Sequence, residues 1–136
     1  MKLTPVILAS ILAAAGSIQG RQVPYEGTQQ GMNEAADQRL KTAEAEMSKV
    51  LDSLLKEAIG KPGSVAKLNK AQSAWSAYRD AQIAAMWPSD DPDLYGSVHP
   101  MCVASLKTRL TEARSAELRE MLTFIDGESC NSHWPE

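Results

Sequence analysis

Apolar residues recur at steps of three and four through most of this chain, and that spacing predicts three helices. Met32, Ala36, Leu40, Ala43, Met47, Val50, Leu54 and Ala58 form one continuous stripe over residues 32–58. Between them lie Asp37, Arg39, Lys41, Glu44, Glu46, Lys49, Asp52 and Lys56, mostly on the opposite face. Gly60 ends this segment and Pro62-Gly63 turns the chain. Ser64 is placed to cap a second helix over 65–86, whose inner face reads as Val65, Leu68, Ala71, Trp75, Tyr78, Gln82 and Ala85. Trp87-Pro88 breaks it, because proline disfavours helix in the residue before it. A third helix opens at His99-Pro100, since proline is tolerated in a first turn. Its apolar face reads as Met101, Leu106, Leu110, Ala113, Leu118, Met121, Leu122 and Ile125, with Gly127 closing it.

No strand-like alternation competes, and there is no internal repeat. The expectation is an all-α fold: a small antiparallel three-helix bundle, or a helical hairpin plus a third helix. The helical domain spans 31–126, after a flexible lead-in over 16–30 and before a polar tail over 127–136.

The first residues bear on compartment. Met1-Lys2 is a minimal basic start, residues 3–15 are almost wholly apolar or small, and Ala13-Ala14-Ala15 fits a cleavage site before Gly16. Residues 1–15 therefore read as a secretory signal peptide, with the protein expected in the periplasm or outside the cell. The apolar run is too short to span a bilayer comfortably, and no cysteine near the cleavage point marks a lipid anchor. A length of 136 residues suffices for one core, and a formal charge of −3 argues against a general nucleic-acid footprint.

Two stretches stand out for chemistry. The first runs Ala71-Gln72-Ser73-Ala74-Trp75-Ser76-Ala77-Tyr78-Arg79-Asp80-Ala81. It contains no Gly, Pro or β-branched residue, and its spacing sets Trp75, Tyr78 and Arg79 on one helical face. The ordinary reading is a core contact with Arg79 snorkelling to water; a ligand-gripping role is the alternative. The second is the long connection WPSDDPDLYGSVHP over 87–100. It carries Trp87, Asp90, Asp91, Asp93 and Tyr95, a set able to dock on a basic protein surface. It also reads as a solvated connector whose aromatics fold back on the helices.

Catalytic signatures are lacking: no Gly-rich phosphate loop, nucleophile elbow or His-Glu-x-x-His occurs. No catalytic residue, cofactor or metal is expected. Cys102 and Cys130 suggest a disulfide in an exported chain, and His99 and His133 flank them in a formally complete Cys₂His₂ set. Both ideas meet one obstacle. A straight helix to Ile125 carries the chain roughly 34 Å from Cys102, and five residues reach back at most about 18 Å. An intermolecular bridge or free thiols are the alternatives.

The helical blocks resemble the LprI-like lysozyme-inhibitor family. That family's first block runs Met-Asn-x-Cys-Ala, and Met32, Asn33 and Ala36 match it here. Its second, Ala-Gln-x-x-Trp-x-x-Tyr-Arg-Asp-Ala, is met by Ala71, Gln72, Trp75, Tyr78, Arg79, Asp80 and Ala81. Its third, Thr-x-x-Arg-x-x-x-Leu, is met by Thr111, Arg114 and Leu118. Ala35 and Ile83 stand where the family usually has cysteine, and Cys102 sits about a turn before its later one, so its disulfide scheme does not carry over. The resemblance implies an exported helical protein, not an enzyme, some of whose relatives bind and inhibit lysozyme. In that setting Arg79 is expected to reach a carboxylate of the first helix, Asp37 or Glu44, with its stem on Trp75.

Two functions follow as expectations. One is a binding protein that blocks a basic, lysozyme-like muramidase, steered to it by acidic charge. The other is an envelope structural or assembly protein without an enzyme target, pairing through an exposed stripe or a cysteine. The oligomeric state stays open.

Overall fold

The computed structural model describes residues 27–91 and 93–123. The expected signal peptide, most of the lead-in, Ile125, Gly127, Cys130, His133 and the polar tail lie outside the described residues. The described chain forms three helices, α1 (Gln29–Ala58), α2 (Ser64–Met86) and α3 (His99–Leu122). No helix among the described residues is long and apolar enough to cross a membrane.

The helix ends differ from the sequence expectation for local reasons. α1 starts three residues early because the Thr28 hydroxyl accepts a hydrogen bond from the Gly31 amide at 3.0 Å. α2 is capped not by Ser64 but by Gly63, which takes the left-handed conformation at φ 73° and leaves Ser64 buried as the first helical residue. α3 ends at Leu122, with Thr123 as its C-cap. Cys102, near the start of α3, is half-buried, and the Cys102–Cys130 pairing falls outside the described residues.

Side-chain links fix the topology. Asn33 meets the chain just before α3, and Glu46, farther along α1, meets Arg119 near the end of α3. α1 and α3 therefore run parallel. Glu44 meets Arg79 and Met47 meets Gln72, so α2 runs antiparallel to both.

The core is a cluster of Met47, Val50, Leu54, Leu68 and Leu118, flanked by Leu51, Leu55, Trp75, Met121 and Leu122. Leu54 and Leu118 are fully buried, each contributing about 1.5–3 kcal/mol relative to exposure. Toward the other end the buried residues of α1 and α3 are mostly small, Ala36, Ala43, Ala104, Thr111 and Ser115, with the larger Leu106 among them. Small side chains let two helix backbones approach closely, and the close backbone approaches in this fold are mainly those between α1 and α3.

Two expected faces are corrected. On α2, Val65, Ala71, Tyr78 and Ala85 are exposed, Tyr78 at 54%. The expected line advanced by about 3.3 residues per step and drifts off a helix of period 3.6. The inward line is Ser64, Leu68, Gln72, Trp75, Arg79 and Gln82. On α3, Ala113 is exposed, while Thr111 and Ser115 are buried. The Ser115 hydroxyl is satisfied by its own helix, donating to the Thr111 carbonyl at 3.0 Å. The Thr111 hydroxyl, at 0% residue exposure, has no hydrogen-bond partner among the described residues.

Candidate functional site

The second and third motif blocks meet in space, and the second also reaches α1. Arg79 on α2 donates to the Glu44 carboxylate on α1 at 3.0 Å, and its guanidinium carbon lies 5.3 Å from the centroid of Trp75. Of the two carboxylates the sequence offers Arg79, the structure uses Glu44; Asp37 instead pairs with Lys41 at 2.6 Å. Gln72 donates weakly to the Met47 sulfur at 3.5 Å and accepts from Arg114 Nε at 3.3 Å. Arg114 also reaches Glu117 at 2.9 Å. Thus Gln72, Trp75, Arg79 and Arg114 link α2 to both neighbours, and the Arg79 and Arg114 side chains are largely covered, at 16% and 13% exposure. Asp80 lies on the surface with a 3.4 Å contact to Arg79 Nε, and Tyr78 stands clear of the knot. Apart from the Arg79–Glu44 link, these pairings were not legible in the sequence, because nothing in a single chain says which long polar side chains meet across helices.

The acidic connection closes onto the start of α3. His99 sits between two rings, Trp87 edge-on at 5.2 Å and Tyr95 tilted at 4.7 Å. The Tyr95 hydroxyl accepts from the Ser89 amide at 2.8 Å, and the Ser89 hydroxyl accepts from the Asp91 amide at 3.2 Å. The Asp91 carboxylate accepts from the Asp93 amide at 3.0 Å. Gly96 supplies a left-handed turn at φ 69°. Asn33, from the first motif block, donates to the Ser97 carbonyl at 3.0 Å and ties the connection to α1.

This arrangement sorts the loop residues. Trp87 and Tyr95 are half-buried against His99 rather than standing out as aromatic contacts. Asp90, Asp91 and Asp93 are exposed, and so is Leu94 at 63%. A cleft of about 460 Å³ opens between the loop and the helix starts, lined by Asn33, Asp93, Gly96, Ser97, His99 and Pro100. Asn33 and His99 are loop anchors that the sequence reading did not identify as such.

A second groove, about 480 Å³, runs between α1 and α3 over Ala43 and Ser115. The Glu46–Arg119 pair, at 2.7 Å, spans it. The hydrogen bond from Arg119 holds the Glu46 carboxyl below the ordinary glutamate range; desolvation opposes it, and the charges of Arg119 and Lys49 add to the lowering. Among the described residues, no group of three or more His, Cys, Asp and Glu is placed to hold a metal ion.

Comparison with known proteins bears on this geometry. The family model described as "Lysozyme inhibitor LprI" matches residues 21–118, which include all three motif blocks and the acidic connection. An uncharacterised protein of Rhizobium meliloti (strain 1021) is 32% identical over 106 residues, covering 70% of this chain and 74% of the relative. No solved structure matches the chain significantly.

Proposed function

The chain belongs to the lysozyme inhibitor LprI family, and from that premise we propose that it is an exported binding protein, not an enzyme, whose target is a basic lysozyme-like muramidase. The supporting observation is the loop after α2. Its backbone is held by Asn33, Tyr95 and the Asx-type turn at Asp91, while three carboxylates face solvent. Ordering such a loop before binding lowers the entropy lost on association. Negative charge on a preformed projection steers it toward a positively charged partner. Trp87 and Tyr95 act as supports for the loop in this reading, with Asp90, Asp91, Asp93 and Leu94 as the contacting set.

The test is a calorimetric titration of the protein against a basic animal-type lysozyme, with wall hydrolysis followed in parallel. One-to-one binding with loss of hydrolysis is expected. Replacing Asp90, Asp91 and Asp93 together by Asn is expected to weaken binding at least about ten-fold, mainly through a slower and less salt-sensitive association. Absence of heat together with full hydrolysis overturns the reading. Unchanged affinity in the triple variant removes the loop from it.

A further inference from the structure

α2 is an anomaly among the three helices. Only Ser64 and Leu68 of its residues are buried, against seven residues of α1 and five of α3. A helix so exposed should carry many charges, as α1 does. Yet α2 has only Lys67, Lys70, Arg79 and Asp80, and Arg79 points inward. Its outer surface is rich in small residues, with Tyr78 at 54% exposure on its flank and Met86 at 55% at its end.

The charges on that surface have a two-fold pattern. At 100° per residue, Ala66, Lys70, Ser73, Ala77, Asp80 and Ala84 all lie within about 40° of the direction opposite Trp75, and all six are exposed. Lys70 and Asp80 carry opposite signs at equal distances on either side of the Trp75 level. Lys70 makes no ion pair among the described residues, and Asp80 has only the long contact to its neighbour Arg79.

We infer that this face of α2 joins two copies of the chain, antiparallel, about a two-fold axis opposite Trp75. That operation sets Lys70 against Asp80 of the second copy and repeats the pair on the other side of the axis. It also sets Ser73 against the second copy's Ala77, and Ala66 against its Ala84. Every residue on the face then meets a neighbour of small size or opposite charge, the self-complementarity that an isologous interface demands. One helix face offers less area than a standard interface, so the dimer is a weak one. The inference is independent of lysozyme binding, because the loop after α2 contributes none of these residues.

Sedimentation velocity of the full chain from about 10 to about 500 µM tests it, a range chosen for a small interface. The mass is expected to rise from one chain to two. Lys70→Glu and Asp80→Lys alone each turn two attractions into two repulsions and are expected to weaken dimerisation about ten-fold or more. The double variant Lys70→Glu/Asp80→Lys restores the pairs with the signs exchanged and is expected to dimerise like the parent. Circular dichroism melts of each variant verify that these exposed substitutions leave the fold intact. A monomer mass at every concentration overturns the inference, as does a folded double variant that fails to recover the dimer. A monomer whose lysozyme binding is lost on Ala77→Arg assigns the face to a foreign partner and overturns it equally.

Discussion

The α1–α3 pair and the α2 helix are held by different physics. α1 and α3 meet through mostly small residues at one end and leucines at the other, with the exposed Glu46–Arg119 pair between them. α2 meets the pair through Leu68 and Trp75 and then through long polar side chains: Gln72, Arg79 and Arg114. The helix with the densest family motif is therefore the one with the fewest buried residues. Its motif works as a set of struts, which fix where α2 sits more than they supply stability. Buried or half-buried ion pairs commonly act this way, since desolvation offsets most of their attraction.

That contrast can be broken at either side. The largest effect is expected from Leu118→Ala, which opens a cavity in the fully buried centre of the pair. A loss of about 2–5 kcal/mol in urea unfolding is expected, and a loss under about 1 kcal/mol would place the stability elsewhere. Arg79→Met should cost only about 1 kcal/mol, combining a half-exposed ion pair and a cation–π contact. A double-mutant cycle with Glu44→Gln isolates the strut, and a coupling of zero would show that the 3.0 Å contact positions nothing. The smallest effect is expected at Glu46, across the groove between α1 and α3. Its folded-state pKa is depressed by Arg119, so the unfolded chain binds the proton more readily and the pair stabilises the fold at neutral pH. That contribution is lost as pH falls through the depressed value. Glu46→Gln should lower the urea midpoint slightly at pH 7, and the difference should vanish in acid. A difference that grows in acid contradicts the depressed value.

Much of the fold could be read from hydrophobic spacing. In α1 the stripe through Ala36, Ala43, Met47, Val50, Leu54 and Ala58 is the buried line, while Leu40 on it is half-buried and Met32, at its start, is exposed. α2 was misread at Tyr78 because an alanine-rich helix is apolar on every side and offers several lines of similar hydrophobicity. Thr111 and Ser115 escaped the core list because close backbone approach selects for size before polarity. At the loop, the acidic residues were legible as exposed, being charged and set between prolines. The anchoring of Trp87 and Tyr95 on His99, and of Ser97 by Asn33, was not, because those contacts join residues that only the folded topology brings together.

The parallel course of α1 and α3 also has an electrical consequence. Two helix macrodipoles lying side by side in the same sense place two positive ends together. Neither helix has an acidic residue in its first turn to neutralise that end. Asp93 lines the cleft between Asn33 near the start of α1 and His99-Pro100 at the start of α3, the side on which both positive ends lie. Of the three exposed loop aspartates, Asp93 lines that cleft, and Asp90 and Asp91 do not. In a series of loop variants, an affinity lost at Asp90 speaks first for the partner, one lost at Asp91 also for the turn that its carboxylate closes, and one lost at Asp93 also for the cleft that it lines.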